Sequence, residues 1–284
     1  MVQDYSETSS VSMAEDWKRP ESVPFPSVWS RFEGKREING KIPKFWIQDI
    51  PEDMFEIAMQ TMLQNFIYDE SMCKSITIVD EADSMDDIKE VWKAFLQHKL
   101  GLICFMENPD PNGKPIIAGL NITYLSNKNE EEPDFKGEKC RNMLGAVLHL
   151  THMKDPFEAF GINEYMSALG LSVLPEFRGQ GIGDQLLNAR TPLGKAVGLK
   201  VTLTVFTSSI SQKLAKRTGF KDFCVIDYAE LETINPKMDD SERNGGVSSQ
   251  ILMSVRVGHP YRAGLTSEPS GRNTSGRTRQ TTGS

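Results

Sequence analysis

The run Leu171-Ser-Val-Leu-Pro-Glu-Phe-Arg178-Gly-Gln-Gly181-Ile-Gly183-Asp-Gln-Leu-Leu187 predicts a strand, a tight glycine turn and a helix. Pro175 ends the apolar strand because proline has no N–H to donate to a neighbouring strand. The glycines let the backbone approach a ligand without a Cβ in the way. Apolar residues then recur at helical spacing, at positions 182, 186, 189, 193 and 196. A helix N-terminus that follows such glycines favours an anion, usually a phosphate.

The spacing of the glycines discriminates between phosphate-binding patterns. The P-loop pattern requires a lysine where this chain has Asp184, and the third glycine of the dinucleotide pattern also falls on Asp184. The pattern that fits is Arg/Gln-x-x-Gly-x-Gly/Ala, here Arg178-x-x-Gly181-x-Gly183. A glycine-rich turn without a ligand is the alternative interpretation.

The fitting pattern resembles the pyrophosphate loop of the GCN5-related N-acetyltransferases (GNAT), which hold acetyl-coenzyme A. The predicted order of strands and helices is similar to that family over roughly residues 44–257. The resemblance implies an α/β (α+β) fold with a central mixed, mostly antiparallel sheet flanked by helices. Three stretches look like the insect-type arylalkylamine N-acetyltransferases: Asn65-Phe-Ile-Tyr-Asp69-Glu70-Ser71, the glycine-turn run, and Phe206-Thr-Ser-Ser-Ile-Ser211-Gln-Lys-Leu continuing into Arg217-Thr-Gly219-Phe220.

We expect one acetyltransferase domain at residues 41–258, with a mostly irregular polar arm at 1–40 and a disordered tail rich in Ser, Thr, Gly and Arg at 259–284. A polar loop is predicted at 239–246, between the last two strands. Pro192 leaves open whether the helix after the glycine turn bends or divides, since proline in a helix interior removes a hydrogen bond.

The amino-acid composition limits the kinds of partner that this protein can be expected to bind. The net charge of -7 and the pI near 5.3 disfavour nucleic-acid binding. We expect no membrane association, because no apolar run is long enough to span a bilayer. The four cysteines are scattered without a C-x-x-C pair, which favours free thiols in the cytoplasm over disulfides or a metal site. A monomer that binds acetyl-coenzyme A and a small-molecule amine is the expected state.

Acyl transfer to an amine requires a group that removes a proton, because an amine with a pKa near ~10 is protonated at neutral pH. Glu70 matches the family's catalytic glutamate, although Ser71 stands where family members usually carry proline. An ordinary solvated acid at a helix end is the alternative for Glu70, and Asp69 is expected to be a structural neighbour. The four histidines lie in no matched motif, so they are weaker candidates: His98, His149, His152 and His259.

The resemblance also implies roles for serines and for the glycine turn. Ser208 and Ser211 align with functional serines of the family and would protonate the departing thiolate, although serines at a helix start usually serve as caps. A backbone N–H from Ser172 to Leu174 would face the thioester carbonyl. Phe66, Tyr68 and Met166 would line an amine pocket or belong to the core. The expected coenzyme-binding set is Leu171, Ser172, Val173, Arg178, Gly179, Gln180, Gly181, Ile182, Gly183 and Ser211.

The leading hypothesis is an N-acetyltransferase that moves acetyl from acetyl-coenzyme A to an arylalkylamine such as dopamine, serotonin, tryptamine or octopamine. Transfer would be direct, in a ternary complex, because no cysteine lies in a matched motif. Two alternatives remain. One is an acyltransferase of the same fold for polyamines, protein N-termini or longer acyl donors, and the other is a coenzyme-binding regulator without catalysis.

Overall fold

The computed structural model describes residues 17–131, 133–228, 230 and 250–257. Eight strands form one sheet in the order β1-β2-β3-β4-β5-β6-β8-β7, and every neighbouring pair is antiparallel except β5 and β6. The predicted mixed, mostly antiparallel sheet is therefore confirmed. The strands are β1 Val28–Glu33, β2 Lys44–Asp49, β3 Leu102–Met106, β4 Ile116–Asn127, β5 Glu164–Val173, β6 Val201–Phe206, β7 Lys221–Asp227 and β8 Gln250–Val257.

Helices cover both faces of the sheet. Trp92, on the helix Ala82–Gln97, lies in the core on one face with side chains of the helices Phe55–Asp69 and Glu138–Met153. Leu186, on the helix Ile182–Ala196, lies in the core on the other face. None of the helices in the described segments is long and apolar enough to cross a membrane. The helices are α1 Phe55–Asp69, α2 Ser71–Ser75, α3 Ala82–Gln97, α4 Glu138–Met153, α5 Pro156–Phe160, α6 Ile182–Ala196 and α7 Ser209–Arg217.

Strand β1 lies within residues 1–40, the segment predicted to be a mostly irregular arm. It pairs with β2 at the edge of the sheet, so the sheet begins before the expected domain boundary at residue 41. Asp49 on β2 is buried and holds both β1 and the segment before it: it accepts hydrogen bonds from Trp29 of β1 at 2.7 Å and from Arg19 at 2.8 Å. The sequence concealed this strand because an edge strand buries few side chains and leaves a weak apolar pattern.

Pro192 lies inside a single helix, α6, which runs without interruption from Ile182 to Ala196. The structure thereby resolves the choice that the sequence left open. Packing of the buried side chains Leu186, Leu187 and Leu193 holds the helix together around the missing backbone hydrogen bond. The predicted loop at 239–246 and the predicted tail at 259–284 lie outside the described residues.

A wedge opens between β5 and β6. These parallel strands share one register pair in the described chain, Met166 with Thr202, and the cavity lies between their remaining residues. On its other side β5 has an irregularity opposite β4, between Asn121 and Thr123. There Gly170 has φ +105, and Asn121 donates from Nδ2 to its carbonyl oxygen at 2.9 Å. The wedge places the C-terminal ends of both strands beside the glycine turn.

Candidate active site

One cavity of about 720 Å³ fills this wedge and brings most of the expected site residues together. The end of α1, the glycine turn and the start of α7 surround its mouth. Gln180 alone of the expected set is absent from the lining. The residues that line the cavity are Glu70, Leu171, Ser172, Val173, Arg178, Gly179, Gly181, Ile182, Gly183, Ser208 and Ser211.

The glycine turn brings the N-terminal end of α6 to the cavity. Gly179 and Gly181 have φ values of +83 and +86, a conformation that side chains rarely tolerate. Gly181 is the N-cap of α6 and provides no side-chain acceptor for the first helical N–H groups. Those groups lack partners within the helix and carry its positive partial charge. The turn therefore offers donors to an anionic ligand in the cavity.

Gln180 anchors the segment before β2 instead of facing the cavity. Its side chain is 3% exposed, and its Oε1 accepts from the backbone N–H groups of Lys35 and Arg36 at 2.8 and 2.9 Å. Its Nε2 donates to the carbonyl oxygen of Arg36 at 3.0 Å. The Gln180 side chain thus has a structural role, and the place of this residue in the coenzyme site stays a prediction. These three bonds fix residues 35–36 against the turn.

Two cations from this segment lie against the glycines. A Cβ built on Gly179 would be 2.7 Å from Cζ of Arg36, and one built on Gly181 would be 2.9 Å from Cε of Lys35. Neither cation could be predicted from the sequence, because both lie in the segment expected to form an irregular arm, about 145 positions from the turn. Asp184, the acidic residue of this turn, is paired with Arg217 at 2.7 Å. The turn therefore has a cationic surround in a chain of net charge -7.

Arg178 crosses the rim of the cavity. Its Nε donates to the carbonyl oxygen of Val173 at 3.2 Å, and its guanidinium forms an ion pair with Asp69. Both members of the pair are about half exposed, so the pair contributes little to stability. It does connect the end of α1, where Glu70 follows, to the end of β5. Asp69 thus has the structural place expected of it.

Both oxygens of the Glu70 carboxylate accept hydrogen bonds in the cavity. Glu70 is the N-cap of α2, and its Oε2 accepts from the N–H of Cys73 at 2.7 Å. Its Oε1 accepts from the hydroxyl of Thr207 at 2.5 Å. Ser71, which replaces the usual proline, begins α2 and leaves Glu70 in the cavity lining. Thr207 was not singled out from the sequence, since only the fold brings it to Glu70.

Tyr228 supports Thr207 from the outer side. Its hydroxyl donates to the carbonyl oxygen of Thr207 at 3.0 Å. Burial, and then the nearby Glu70 carboxylate, raise the pKa of the Tyr228 phenol above its usual value. The phenol therefore keeps its proton at neutral pH and remains a donor that fixes the end of β6.

Ser208 and Ser211 form a capping box at the start of α7. The Ser208 hydroxyl accepts from the N–H of Ser211 at 3.2 Å, and the Ser211 hydroxyl accepts from the N–H of Ser208 at 3.2 Å. The Ser211 hydroxyl also donates to the carbonyl oxygen of Ser208 at 2.9 Å. Both serines therefore serve as helix caps, as the alternative interpretation expected. Both also line the cavity.

Other candidates lie away from the cavity lining. His98 is 6% exposed, its Nδ1 accepts from the N–H of Leu125, and burial lowers the pKa of its imidazole to about 4. His149 and His152 lie on α4 and His259 lies outside the described residues. The N–H of Leu174 donates to the carbonyl oxygen of Ala118 at 3.0 Å, which removes it from the candidate oxyanion donors. No group of His, Cys, Asp and Glu in the described chain has a metal-binding arrangement.

Of the three residues predicted for the amine pocket, one lines the cavity and two do not. Phe66 lines the cavity and packs edge-on against Trp92, with ring centroids 6.0 Å apart. The Trp92 Nε1 donates to the carbonyl oxygen of Leu169 at 3.0 Å, so the ring is held against β5. Tyr68 is 59% exposed and Met166 is fully buried, and neither lines the cavity. Trp92 is the wall residue that the sequence did not reveal.

Comparisons with known proteins agree with this architecture. Residues 152–220 match the family model described as the acetyltransferase (GNAT) family. The structure resembles that of a yellow fever mosquito protein provisionally named arylalkylamine N-acetyltransferase 7, with 32% identity and a TM-score of 0.78. The alignment covers 86% of this chain and 100% of that one. No curated protein sequence matches the chain significantly.

Two more distant structures share the fold. Arylalkylamine N-acetyltransferase 2 from Aedes aegypti is 16% identical over 76% of this chain and 99% of its own, with a TM-score of 0.62. A polyamine N-acetyltransferase from Drosophila melanogaster is 14% identical over 75% of this chain and 99% of its own, with a TM-score of 0.56. Together with the 32%-identical mosquito relative, the family match and the cavity show that this chain is an N-acetyltransferase of the GNAT family.

Proposed function

We propose that this enzyme acetylates the primary amine of an arylalkylamine by direct attack in a ternary complex. The observation that carries the proposal is a single cavity that holds an anion-binding turn, a carboxylate and an aromatic wall. The turn lies at the start of α6, the carboxylate is that of Glu70, and the wall is formed by Phe66 and Trp92.

Acetyl-coenzyme A is the co-substrate of this GNAT enzyme. The cavity fits its anionic groups: the first residues of α6 line it, and the cations of Lys35 and Arg36 lie against the glycine turn. Bound there, the co-substrate supplies an activated acetyl thioester. The turn and the two cations would hold its phosphates, and β5 would lie along the rest of the molecule.

Glu70 would take the proton from the attacking amine, directly or through water. The two hydrogen bonds from Thr207 and Cys73 fix the orientation of its carboxylate. Burial raises the pKa of the Cys73 thiol well above its usual value, so this cysteine of the cavity stays protonated. A protonated thiol is a poor nucleophile, which supports direct transfer over an acyl-enzyme.

Ser208 or Ser211 would return a proton to the departing thiolate. Their hydroxyls lie 3.0 Å apart and already exchange hydrogen bonds within the capping box. Donation to the thiolate therefore requires one hydroxyl to turn away from the box, while the backbone N–H groups keep the helix start in place. N–H groups alternate along a strand, so the N–H of Ser172 points toward β4 as that of Leu174 does, and the N–H of Val173 is the remaining candidate for stabilising the negative oxygen.

The aromatic wall favours an arylalkylamine over a polyamine. Rings prefer edge-to-face or offset contact with other rings, and Phe66 and Trp92 present such surfaces to the cavity. Two acidic side chains of the cavity that would attract a second ammonium group are engaged: Asp69 with Arg178 and Asp184 with Arg217. Both pairings reduce the attraction for a polycation.

A thiol-release assay with acetyl-coenzyme A tests this proposal across arylalkylamines, polyamines, agmatine and peptide N-termini. We expect the highest kcat/KM with tryptamine, dopamine, serotonin or octopamine. Preference for agmatine or a polyamine would replace the substrate assignment and keep the enzyme class. Binding of acetyl-coenzyme A without turnover of any amine would instead favour a regulator.

We further propose that the enzyme acts as a cytoplasmic monomer. The cysteines are unpaired, and Cys73, Cys104 and Cys140 are buried as free thiols, a state that a reducing compartment preserves. The cavity walls described here all come from one chain. Light scattering at micromolar concentration and fractionation of cells that express the tagged protein test these two points.

A further inference from the structure

Arg190 carries a buried charge that the proposed acetyl transfer does not use. It lies on α6, is 1% exposed, and forms part of the cavity wall. Its Nη2 donates to the carbonyl oxygen of Met166 at 3.3 Å, and its Cζ lies 5.6 Å from the ring centroid of Phe220. Within the described chain, Nε and Nη1 have no hydrogen-bond partner. Burying a guanidinium with one long hydrogen bond and no paired carboxylate costs folding free energy, so its unpaired N–H groups favour the binding of an acceptor.

A second unpartnered polar group lies at the same end of the wedge. Thr202 pairs with Met166 and donates from Oγ1 to the carbonyl oxygen that Arg190 also contacts, at 3.1 Å. Thr204 is the next residue of β6 on that face, because side chains alternate along a strand. Its Oγ1 is buried without a partner in the described residues, and Thr204 lines the cavity. Arg190 and Thr204 therefore make the closed end of the wedge polar.

The closed end of the wedge lies beside the paired residues Met166 and Thr202, and its distance from the glycine turn indicates which part of an acyl donor would reach it. Gly183 at the turn and Arg190 both line the cavity, and seven residues of helix separate them by about 10 Å. A donor whose phosphates lie at the turn enters the wedge along β5, past Ser172 and Gly170. The acyl group of such a donor would lie deepest in the wedge, toward Met166, where β5 and β6 pair. An acyl group longer than acetyl would thus extend toward Arg190.

We propose that Arg190 and Thr204 adapt the cavity to short acyl donors that end in a carboxylate, of the malonyl or succinyl type. This inference rests on the proposed acyl-transfer function. The terminal carboxylate would accept from the free N–H groups of Arg190 and from the hydroxyl of Thr204. A carboxylate is the strongest acceptor for a guanidinium, and the closed end offers it a dry, charged partner.

The transfer itself would follow the same course as acetylation. The amine nitrogen forms a bond to the thioester carbonyl carbon, and the bond from that carbon to sulfur breaks. Glu70 receives the proton that the amine loses, and the departing thiolate takes a proton from the hydroxyl of Ser208 or Ser211 and leaves as the coenzyme thiol. The carboxylate of the acyl group takes no part in bond making and remains paired with Arg190, so the product is an amide with a free acid end.

The test compares acyl donors matched in carbon number: succinyl with butyryl, and malonyl with propionyl. With one fixed amine, we expect the acidic donor to have the higher kcat/KM by roughly tenfold in the wild-type enzyme. Arg190→Met should reverse this ratio, and Arg190→Lys and Thr204→Val should each reduce it. Thr218→Val is the matched control: Thr218 is also buried but does not line the cavity, and its hydroxyl donates to the backbone carbonyl oxygens of Leu214 and Ala215 in α7, so the ratio should stay unchanged.

Several results would overturn the inference. A wild-type preference for butyryl and propionyl donors contradicts it, and so does an equal loss with every donor in Arg190→Met, which would mean that Arg190 holds the common part of the coenzyme. If Arg190→Met does not fold, the donor ratios of Arg190→Lys and Thr204→Val test the inference in its place. Failure of all donors with all amines would defeat the proposed function instead. Calorimetric binding of succinyl-coenzyme A against butyryl-coenzyme A would then decide the inference by affinity alone.

Discussion

Thr207 donates a hydrogen bond to Oε1 of Glu70 at 2.5 Å, although the two residues lie 137 positions apart in the chain. Thr207 follows β6 directly and Glu70 follows α1, so the bond spans the mouth of the wedge. With the N–H of Cys73 on Oε2, it fixes both oxygens of the carboxylate. Thr207 is therefore a positioning residue: it sets the direction in which Glu70 can accept a proton.

Replacing Thr207 by valine should lower kcat while the fold remains intact. Valine keeps the branched shape but removes the hydroxyl, and a hydrogen bond to a charged group contributes about 1.5–3 kcal/mol. We expect kcat to fall by roughly tenfold to a hundredfold, which corresponds to that energy. Thr207→Ser retains the hydroxyl and serves as the control. Equal rates for the valine and serine variants would show that the hydroxyl does not matter.

Glu70→Gln separates the proposed catalytic role from the capping role. The glutamine oxygen can still accept from the N–H of Cys73, so α2 should keep its cap, but the amide cannot take a proton. We expect kcat to fall by roughly 10²–10⁴ at neutral pH. The remaining rate should rise with pH toward the pKa of the amine, since only free amine reacts. A pH–rate profile identical to that of the wild type would assign Glu70 to the helix cap alone.

The glycine turn, the sheet and the cavity's main residues could be predicted because their signals are local. Glycine spacing, apolar periodicity and the apolar run before Pro175 each lie within a few residues. Glu70 and Ser208 were expected only through resemblance to a family, because nothing in an isolated acid or serine distinguishes a catalyst from a cap.

Contacts between distant segments could not be predicted in this way. The roles of Thr207 and of Lys35 depend on which strand ends and loops the fold brings together. Gln180 illustrates the same limit: its place in the glycine motif suggested a ligand contact, whereas its side chain points to the backbone of residues 35 and 36. Sequence spacing locates a turn but not the direction of each side chain on it.

Loss of the Gln180 contacts should weaken the binding of the coenzyme more than it slows the acetyl-transfer step. Gln180→Met keeps the side-chain volume but removes three hydrogen bonds to the backbone of Lys35 and Arg36. The two cations should then lose their fixed position at the turn. We expect the KM for acetyl-coenzyme A to rise by roughly tenfold and to rise more than kcat falls, as measured by steady-state kinetics.

Direct replacement of the cations checks the same contact. Lys35→Ala with Arg36→Ala should raise this KM and flatten its dependence on salt, because fewer exposed charges attract the phosphates. Lys41→Ala is the matched control, since Lys41 is an exposed cation of the same segment that is not among the nearest neighbours of Gly179 and Gly181. An unchanged salt dependence in the double variant would remove Lys35 and Arg36 from the coenzyme site.

His98 should make the enzyme less stable in acid. Burial lowers the pKa of its imidazole from 6.5 to about 4, so the folded state holds the neutral form. A lowered folded-state pKa gives stability that is present above pH 6.5 and is lost as the pH falls toward about 4, by up to ~3 kcal/mol. Denaturant unfolding across this range measures the loss. His98→Asn keeps an acceptor for the N–H of Leu125 but cannot be protonated, so its free energy of unfolding should be lower at pH 7 and should change less with pH. An equally steep fall in the variant would assign the acid sensitivity to the carboxylates.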